Sequence, residues 1–382
     1  MHSRSYRILH PLFVLLPFLL FLGGCGEVIH NDSKPESHEN VLSIKKSPVP
    51  ISIKLLTRNG YFDPAVLQEF KEAYNIQVLV TYYETNVELY QKIAAGDYDL
   101  ITPSGSLLQI LIRDGRLARL DHHNLTNLTK LEHIFETIPF DPHHVFSAPY
   151  TWRTIGIGYN MSHETEIPFS WNNLFDPRLY PGANHQEFLG KLSLFDEARY
   201  SIGSALISLG FSPNSRKPDE IQKAADVLLK QRPYVSHFDD ANAQKFLADE
   251  ESFLSMAWSS DVSLSMKTNK KVRFSIPNEG ALVFIDYLAI PKTSQKKDLA
   301  EDFIEFLLQP FVAGRISSYS HCASADQAAR SYISREVING APYLLPDETK
   351  LFFLDIMDPA TQALYEKTWD TIKKAKVTGP AL

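Results

Sequence analysis

The side chains of greatest chemical consequence are acids set among apolar and aromatic neighbours. Asp286 lies inside the β-like run Ala281 to Pro291 and follows Phe284 by two residues. On an extended strand both side chains leave the same face, so one ligand meets both. A carboxylate buried without a partner is costly, and Asp286 therefore calls for a cation, supplied by a ligand or by the protein. Glu197 follows Leu194-Phe195-Asp196 at the start of a helical stretch. A helix N-terminus favours negative charge there, so capping and ligand binding both fit. Trp258, in Met256-Ala257-Trp258, fits core and ligand wall alike; Tyr61 reads as a wall or as packing beneath the first helix, and Ser104 as a helix cap or a ligand hydrogen bond. The chemistry these types support is non-covalent capture of a small cation.

Motifs for bond-making are missing. Gly156-x-Gly158 lacks the third glycine of a dinucleotide loop, and neither a Gly-Lys-Ser/Thr phosphate loop nor a Gly-x-Ser-x-Gly elbow occurs. Cys322 stands as a lone thiol. The pairs His122-His123 and His143-His144 have neither the i, i+4 spacing nor the cysteine partners of a zinc site, and surface loops explain them better. The sequence therefore argues against an enzyme and implies no cofactor or resident metal.

The elements that must position these residues belong to a chain of 382 residues, long enough for two lobes with full cores. Lys+Arg number 38 against 45 Asp+Glu, a formal charge of -7, and no long basic run appears. That argues against a nucleic-acid binder and for cationic small molecules. Met1 to Gly24 carries Arg4 and Arg7 and then the apolar run Pro11 to Leu22. Such a run spans roughly 18 Å as a helix, too short for a hydrocarbon core, and reads as a secretory signal peptide. Its loss removes two positive charges and no negative one, leaving the rest more acidic still. Leu22-Gly23-Gly24-Cys25 resembles a bacterial lipobox, which makes Cys25 the lipidated N-terminus. Residues 25–50 are polar and aperiodic, a flexible tether.

From Ile51 onward short β-like runs alternate with helical ones, an α/β signature. Strands are expected at Ile51 to Thr57, Ile76 to Tyr83, Tyr98 to Thr102, Thr154 to Asn160, Leu192 to Phe195, Phe253 to Trp258 and Ala281 to Pro291. Helices are expected at Pro64 to Tyr74, Val87 to Ala95, Leu107 to Arg113, Ala198 to Leu209, Pro218 to Leu229, Ala300 to Leu308 and Thr361 to Lys374. The break Pro103-Ser104-Gly105-Ser106, between a strand and a helix, is where an open sheet places a ligand crevice.

Gly96 to Ser104 (GDYDLITPS) resembles the extracytoplasmic solute-binding proteins that serve ABC importers, specifically the spermidine/putrescine-binding group. Thr81 to Asn86 (TYYETN), Pro139 to Pro142, Pro149 to Asn160 (PYTWRTIGIGYN), Ser170 to Pro177, Pro277 to Pro291 and Ala300 to Pro310 follow in the same order. The resemblance implies a two-lobe periplasmic-binding fold of the second type, each lobe a mixed sheet flanked by helices, with the chain crossing near Trp152 and Phe284. Lobe 1 is then 51–152 and 285–329, and lobe 2 is 153–284 and 330–382. It also implies a polyamine ligand, cleft closure, an ABC permease complex in the inner membrane as partner, and a periplasmic location with the chain held to the membrane through its lipid.

A polyamine is a methylene chain punctuated by ammonium groups, so its site needs carboxylates and aromatic walls, each wall adding about 0.5–2 kcal/mol of cation–π attraction. By this resemblance Tyr61, Trp258 and Phe284 are walls, and Glu197 and Asp286 are anchors. Four positions and one segment depart from the group: Arg58 replaces Trp, Ser106 replaces Tyr, Tyr200 replaces Glu, Arg153 replaces Gly, and His321-Cys322-Ala323 replaces Gly-Tyr-Pro. Arg153 at a cleft edge repels a polyamine unless it pairs with an acid or captures an anionic group of the ligand. These departures keep other readings open. One is a cationic or zwitterionic amino-acid-like solute with its carboxylate on Arg58 and its ammonium on Asp286. Another is ferric ion on Tyr82-Tyr83, although strand alternation sends the two to opposite faces. A third is a structural lipoprotein with a degenerate cleft.

Overall fold

A computed structural model describes residues 51–376 apart from 137, 164–165, 180–184 and 346–348. The signal peptide, Cys25 and the tether lie outside the described residues. The strands are β1 (Ile51–Thr57), β2 (Ile76–Tyr82), β3 (Leu100–Ile101), β4 (Ser147–Asn160), β5 (Leu192–Leu194), β6 (Val235–Phe238), β7 (Leu254–Trp258), β8 (Val272–Ser275), β9 (Ala281–Ala289), β10 (Ala323–Ser324) and β11 (Leu351–Phe352). The α-helices are α1 (Pro64–Tyr74), α2 (Asn86–Ala95), α3 (Gly105–Arg113), α4 (Trp171–Phe175), α5 (Ala198–Ser208), α6 (Pro218–Gln231), α7 (Ala243–Ala248), α8 (Ser259–Ser265), α9 (Lys297–Leu307), α10 (Pro310–Ser320), α11 (Arg335–Ile338) and α12 (Pro359–Lys374).

Local chemistry sets these bounds. Asp63 caps α1 by accepting from the Ala65 N–H at 2.9 Å, Pro64 occupies the first helical turn, and Asn75 ends the helix in the left-handed region at φ 56°. The helix buries Val66 and Phe70. Similarly, Ser170 and Asn173 form a reciprocal capping box at the start of α4.

The strands pair in the order β2-β1-β3-β9-β4-β7-β5-β6, with β8 and β10 pairing β4 and β11 pairing β9. Neighbours β2, β1 and β3 are parallel, as are β7, β5 and β6, while the long strands β4 and β9 run antiparallel to each other between these groups. Two hydrophobic cores result. The first takes Ile53, Phe70, Leu100 and Trp152 and resumes at Val283; the second takes Ile155, Trp171, Leu206, Met256, Leu282 and Trp369. On β4 the change of core falls between Trp152 and Ile155. On β9 it falls between Leu282 and Val283, which pair with Ile155 and Thr154. The two strands therefore pass from one core to the other at the same level, and residues there are held by a continuous ladder.

Several elements escaped the sequence reading. β4 begins at Ser147 rather than Thr154, because Pro149 is accommodated at a register shift between Pro149 and Thr151. No helix is expected after Leu308, yet Pro310 opens α10 from its first turn. α8 is Ser-rich and so weak in intrinsic propensity, but Val262 anchors it in the second core. Gly156 and Gly158 have a packing reason. A Cβ on Gly156 would meet the Ser275 carbonyl oxygen and the Phe274 ring at 2.6 Å, and one on Gly158 would meet Leu247 at 2.5 Å.

Candidate functional site

A cavity of about 320 Å³ opens where β4 and β9 change cores. Of the seven ligand residues read from the sequence, Arg58, Ser104, Glu197, Trp258, Phe284 and Asp286 line it, and Tyr61 does not. Cys25, the expected lipidation site, is outside the described residues. Strand pairing explains the gathering. Arg153 pairs with Phe284 and Thr151 with Asp286, while Ile155 pairs with Trp258 on the other side of β4. Alternation then puts Arg153, Phe284, Asp286 and Trp258 on one face of three adjacent strands.

The wall at the second-core end is an aromatic cluster. Trp258, Phe284 and Tyr200 pack edge to face in all three pairings, with centroid separations of 4.9 Å for Trp258–Phe284, 4.9 Å for Tyr200–Phe284 and 5.7 Å for Tyr200–Trp258. This is the favoured geometry for aromatic pairs. Tyr200, three residues after Glu197 on α5, thus brings an aromatic ring where the family resemblance called for an acid. Burial pushes its phenol up to about 12, with Glu197 adding to the shift. The neutral hydroxyl persists through the physiological range.

Glu197 is both cap and wall. Its Oε1 accepts from the Arg199 N–H at 3.1 Å at the start of α5, and its carboxylate still reaches the cavity. Burial raises its pKa, partly offset by the Arg199 N–H. Ser104 holds the N-cap position of α3, yet its hydroxyl does not cap the helix. It donates to Asn86 Oδ1 at 3.1 Å and lies 3.2 Å from Ser106 Oγ, a small polar network on the cavity wall.

Asp286 is 4% exposed and its Oδ2 has no hydrogen-bond partner. Burial holds the carboxyl above its ordinary range, and the positive charges of Arg153 and Arg58 offset only part of this. A backbone bridge to Ser104 fixes Asp286 beside the turn that opens α3. Arg58 donates to the Glu84 carbonyl at 2.8 Å and lies 5.1 Å from the centre of the Tyr83 ring. Arg153 places its guanidinium 4.1 Å from the centre of Trp258. Tyr61 is buried within electrostatic reach of Arg153 and Asp286. Its buried hydroxyl is unpartnered, and burial raises the phenol well above its usual range against the pull of Arg153.

Sequence reasoning missed two contributors. Arg199, 8% exposed, lies in the cavity wall and donates to the Asp355 carbonyl and Asn214 Oδ1 at 3.2 and 3.0 Å. The segment Phe353 to Met357 forms another wall, though only Leu351–Phe352 pairs with β9. No local periodicity marks it. Tyr200 was legible in the sequence as the residue three after Glu197 where the resemblance implied an acid. Cys322 is buried, with its thiol raised to about 11 chiefly by burial, so it stays protonated. Of the histidine pairs, His144 departs from a surface-loop reading and is 6% exposed. Tyr82 is exposed while Tyr83 is buried and donates to the Thr102 carbonyl, so the pair does not converge.

The model of the family described as bacterial extracellular solute-binding protein matches residues 65–315. The chain belongs to that family. Among its relatives, the spermidine/putrescine-binding periplasmic protein of Escherichia coli is 30% identical over 322 residues, covering 83% of this chain and 90% of the relative. The putrescine-binding periplasmic protein PotF of the same organism is 31% identical over 342 residues, with the same coverage. The solved spermidine/putrescine ABC transporter substrate-binding protein PotD of Streptococcus pneumoniae superposes with a TM-score of 0.78 at 26% identity, covering 85% of this chain and all of that one. In this solute-binding family member the two-lobe α/β fold carries the cavity at the crossing of its two long strands.

Proposed function

We propose that the protein is the extracytoplasmic receptor of an ABC importer for a polyamine, lipid-anchored through Cys25 after removal of residues 1–24. The observation that carries the ligand class is the joining of the Trp258, Phe284 and Tyr200 rings with the carboxylates of Asp286 and Glu197 in one cavity. Rings hold methylenes and the faces of ammonium groups; the acids anchor charge. The polyamine receptors among the relatives add support. Lobe 1 (51–152 and 285–329) and lobe 2 (153–284 and 330–382) then close about β4 and β9, because a ligand touching both binds the closed state more tightly and shifts the population toward it. The cycle needs no covalent step. The closed form is what a membrane permease meets.

The test is a thermal-shift panel of putrescine, spermidine, arginine, ornithine and ferric citrate on the chain from Val41 onward. A ligand at 100 times its Kd adds about 2.7 kcal/mol, a rise of several degrees. A shift with polyamines supports the proposal. Shifts confined to the amino acids or to ferric citrate, or none at all, refute it.

A further inference from the structure

The cavity already contains a cation on its own aromatic wall. Arg153 stacks its guanidinium on Trp258 at 4.1 Å, within the range at which cation–π attraction is strong. It leaves β4 on the same face as its cross-strand partner Phe284 and the diagonal neighbour Asp286. Its Nε lacks a hydrogen-bond partner, as does Asp286 Oδ2. Guanidinium and carboxylate are therefore electrostatic neighbours that have not closed into a bonded pair, and each keeps capacity for a ligand. Formal charges on the lining also cancel: Arg58, Arg153 and Arg199 against Glu197, Asp286 and Asp355. A site whose cations were all supplied by the ligand would instead be left acidic when empty.

Resting on the proposed polyamine reading, we propose that Arg153 is a tethered competitor that occupies the ammonium subsite between Trp258 and Asp286. A ligand ammonium entering that subsite displaces the guanidinium from the Trp258 face. Binding is weakened by the lost stacking and by repulsion between the two cations. Arg153 thus sets how tightly this cleft holds a polyamine, and its flexible side chain is the element that must move before ligand seats. Arg58 is different in kind. It stacks on Tyr83 and is tied to the Glu84 carbonyl.

Isothermal titration of putrescine and spermidine into wild type, Arg153→Ala, Arg153→Gln, Arg153→Lys and Arg58→Gln tests this. Arg153→Ala and Arg153→Gln are expected to bind polyamine at least tenfold more tightly than wild type. Arg153→Lys, which keeps a cation at the ring, stays within threefold, and Arg58→Gln gains markedly less than Arg153→Gln. The glutamine variant keeps side-chain length if alanine disturbs folding. Unchanged or weaker polyamine binding in both neutral variants overturns the inference while the receptor reading stands. An equal gain from Arg58→Gln also overturns it, since the effect would then be the general field of the cleft. If neither wild type nor any folded variant binds a polyamine, the receptor reading fails and takes this inference with it.

Discussion

Replacing Asp286 by asparagine separates what the carboxylate does for folding from what it does for binding. The side chain is 4% exposed with one oxygen unpartnered, and its pKa is raised by burial despite Arg153 and Arg58 nearby. A raised carboxyl pKa in the folded state means that the folded protein holds the proton more tightly than the unfolded chain does. Between the two pKa values stability falls as pH rises, so above the unfolded-state value the carboxyl is a net cost to folding. An unsatisfied charged group costs about 1–3 kcal/mol or more, and the arginines return part of that, leaving about 1 kcal/mol for Asp286→Asn to recover. For a folding unit of 150–250 residues this raises Tm by roughly 2–4 °C at pH 7. The gain should shrink on acidification and vanish below about pH 4, where the carboxyl is protonated in both states. Polyamine affinity should fall at least tenfold, about 1.4 kcal/mol, with loss of the charge-assisted anchor. Differential scanning at pH 7 and pH 4 with titration calorimetry reads both. A lower Tm at pH 7 would show instead that the arginines over-compensate the buried charge and that Asp286 stabilises the fold.

Further outcomes follow from other sites. His321 ends α10 in the left-handed region at φ 57°, is fully buried, and has its pKa lowered to about 4, chiefly by burial. A lowered histidine pKa contributes stability that is complete above about pH 6.5 and is lost as pH falls toward 4, so His321→Asn, which tolerates the same backbone, should flatten the fall of Tm over that window. An equally steep fall in the variant would place the acid sensitivity elsewhere. Gly156→Ala should destabilise by about 1–3 kcal/mol in urea unfolding, because its Cβ meets the Ser275 carbonyl at 2.6 Å. No loss would mean that β8 moves freely away from β4. Trp258→Ala removes the shared ring of three aromatic contacts, edge to face with Tyr200 and Phe284 and tilted with Phe195, and should lower both stability, by about 3–5 kcal/mol, and polyamine affinity. Trp258→Phe, which keeps a ring, should retain most of the stability, and an alanine variant as stable as wild type would show that the wall is not packed as described.

Much of the fold was legible because its signals are local. Ile51–Thr57 and Pro64–Tyr74 lie where alternation, an Asp-Pro start and the next strand placed them, since caps and periodicity act within a few residues. The site was partly legible for the same reason: Phe284 and Asp286 share a face through strand alternation alone. What the sequence could not determine is which protein cation faces Asp286. Arg153 is more than a hundred residues away along the chain, and only the antiparallel register of β4 with β9 brings it opposite Phe284. The wall supplied by Phe353 to Met357 and the burial of Arg199 are likewise products of long-range packing, carried by contacts that leave no period in the local sequence. Residue types and the family resemblance pointed to rings, acids and arginines at a cleft; the pairing of two long strands decided that Arg153 lies opposite Phe284 with its guanidinium on Trp258, because only tertiary register brings these distant residues together.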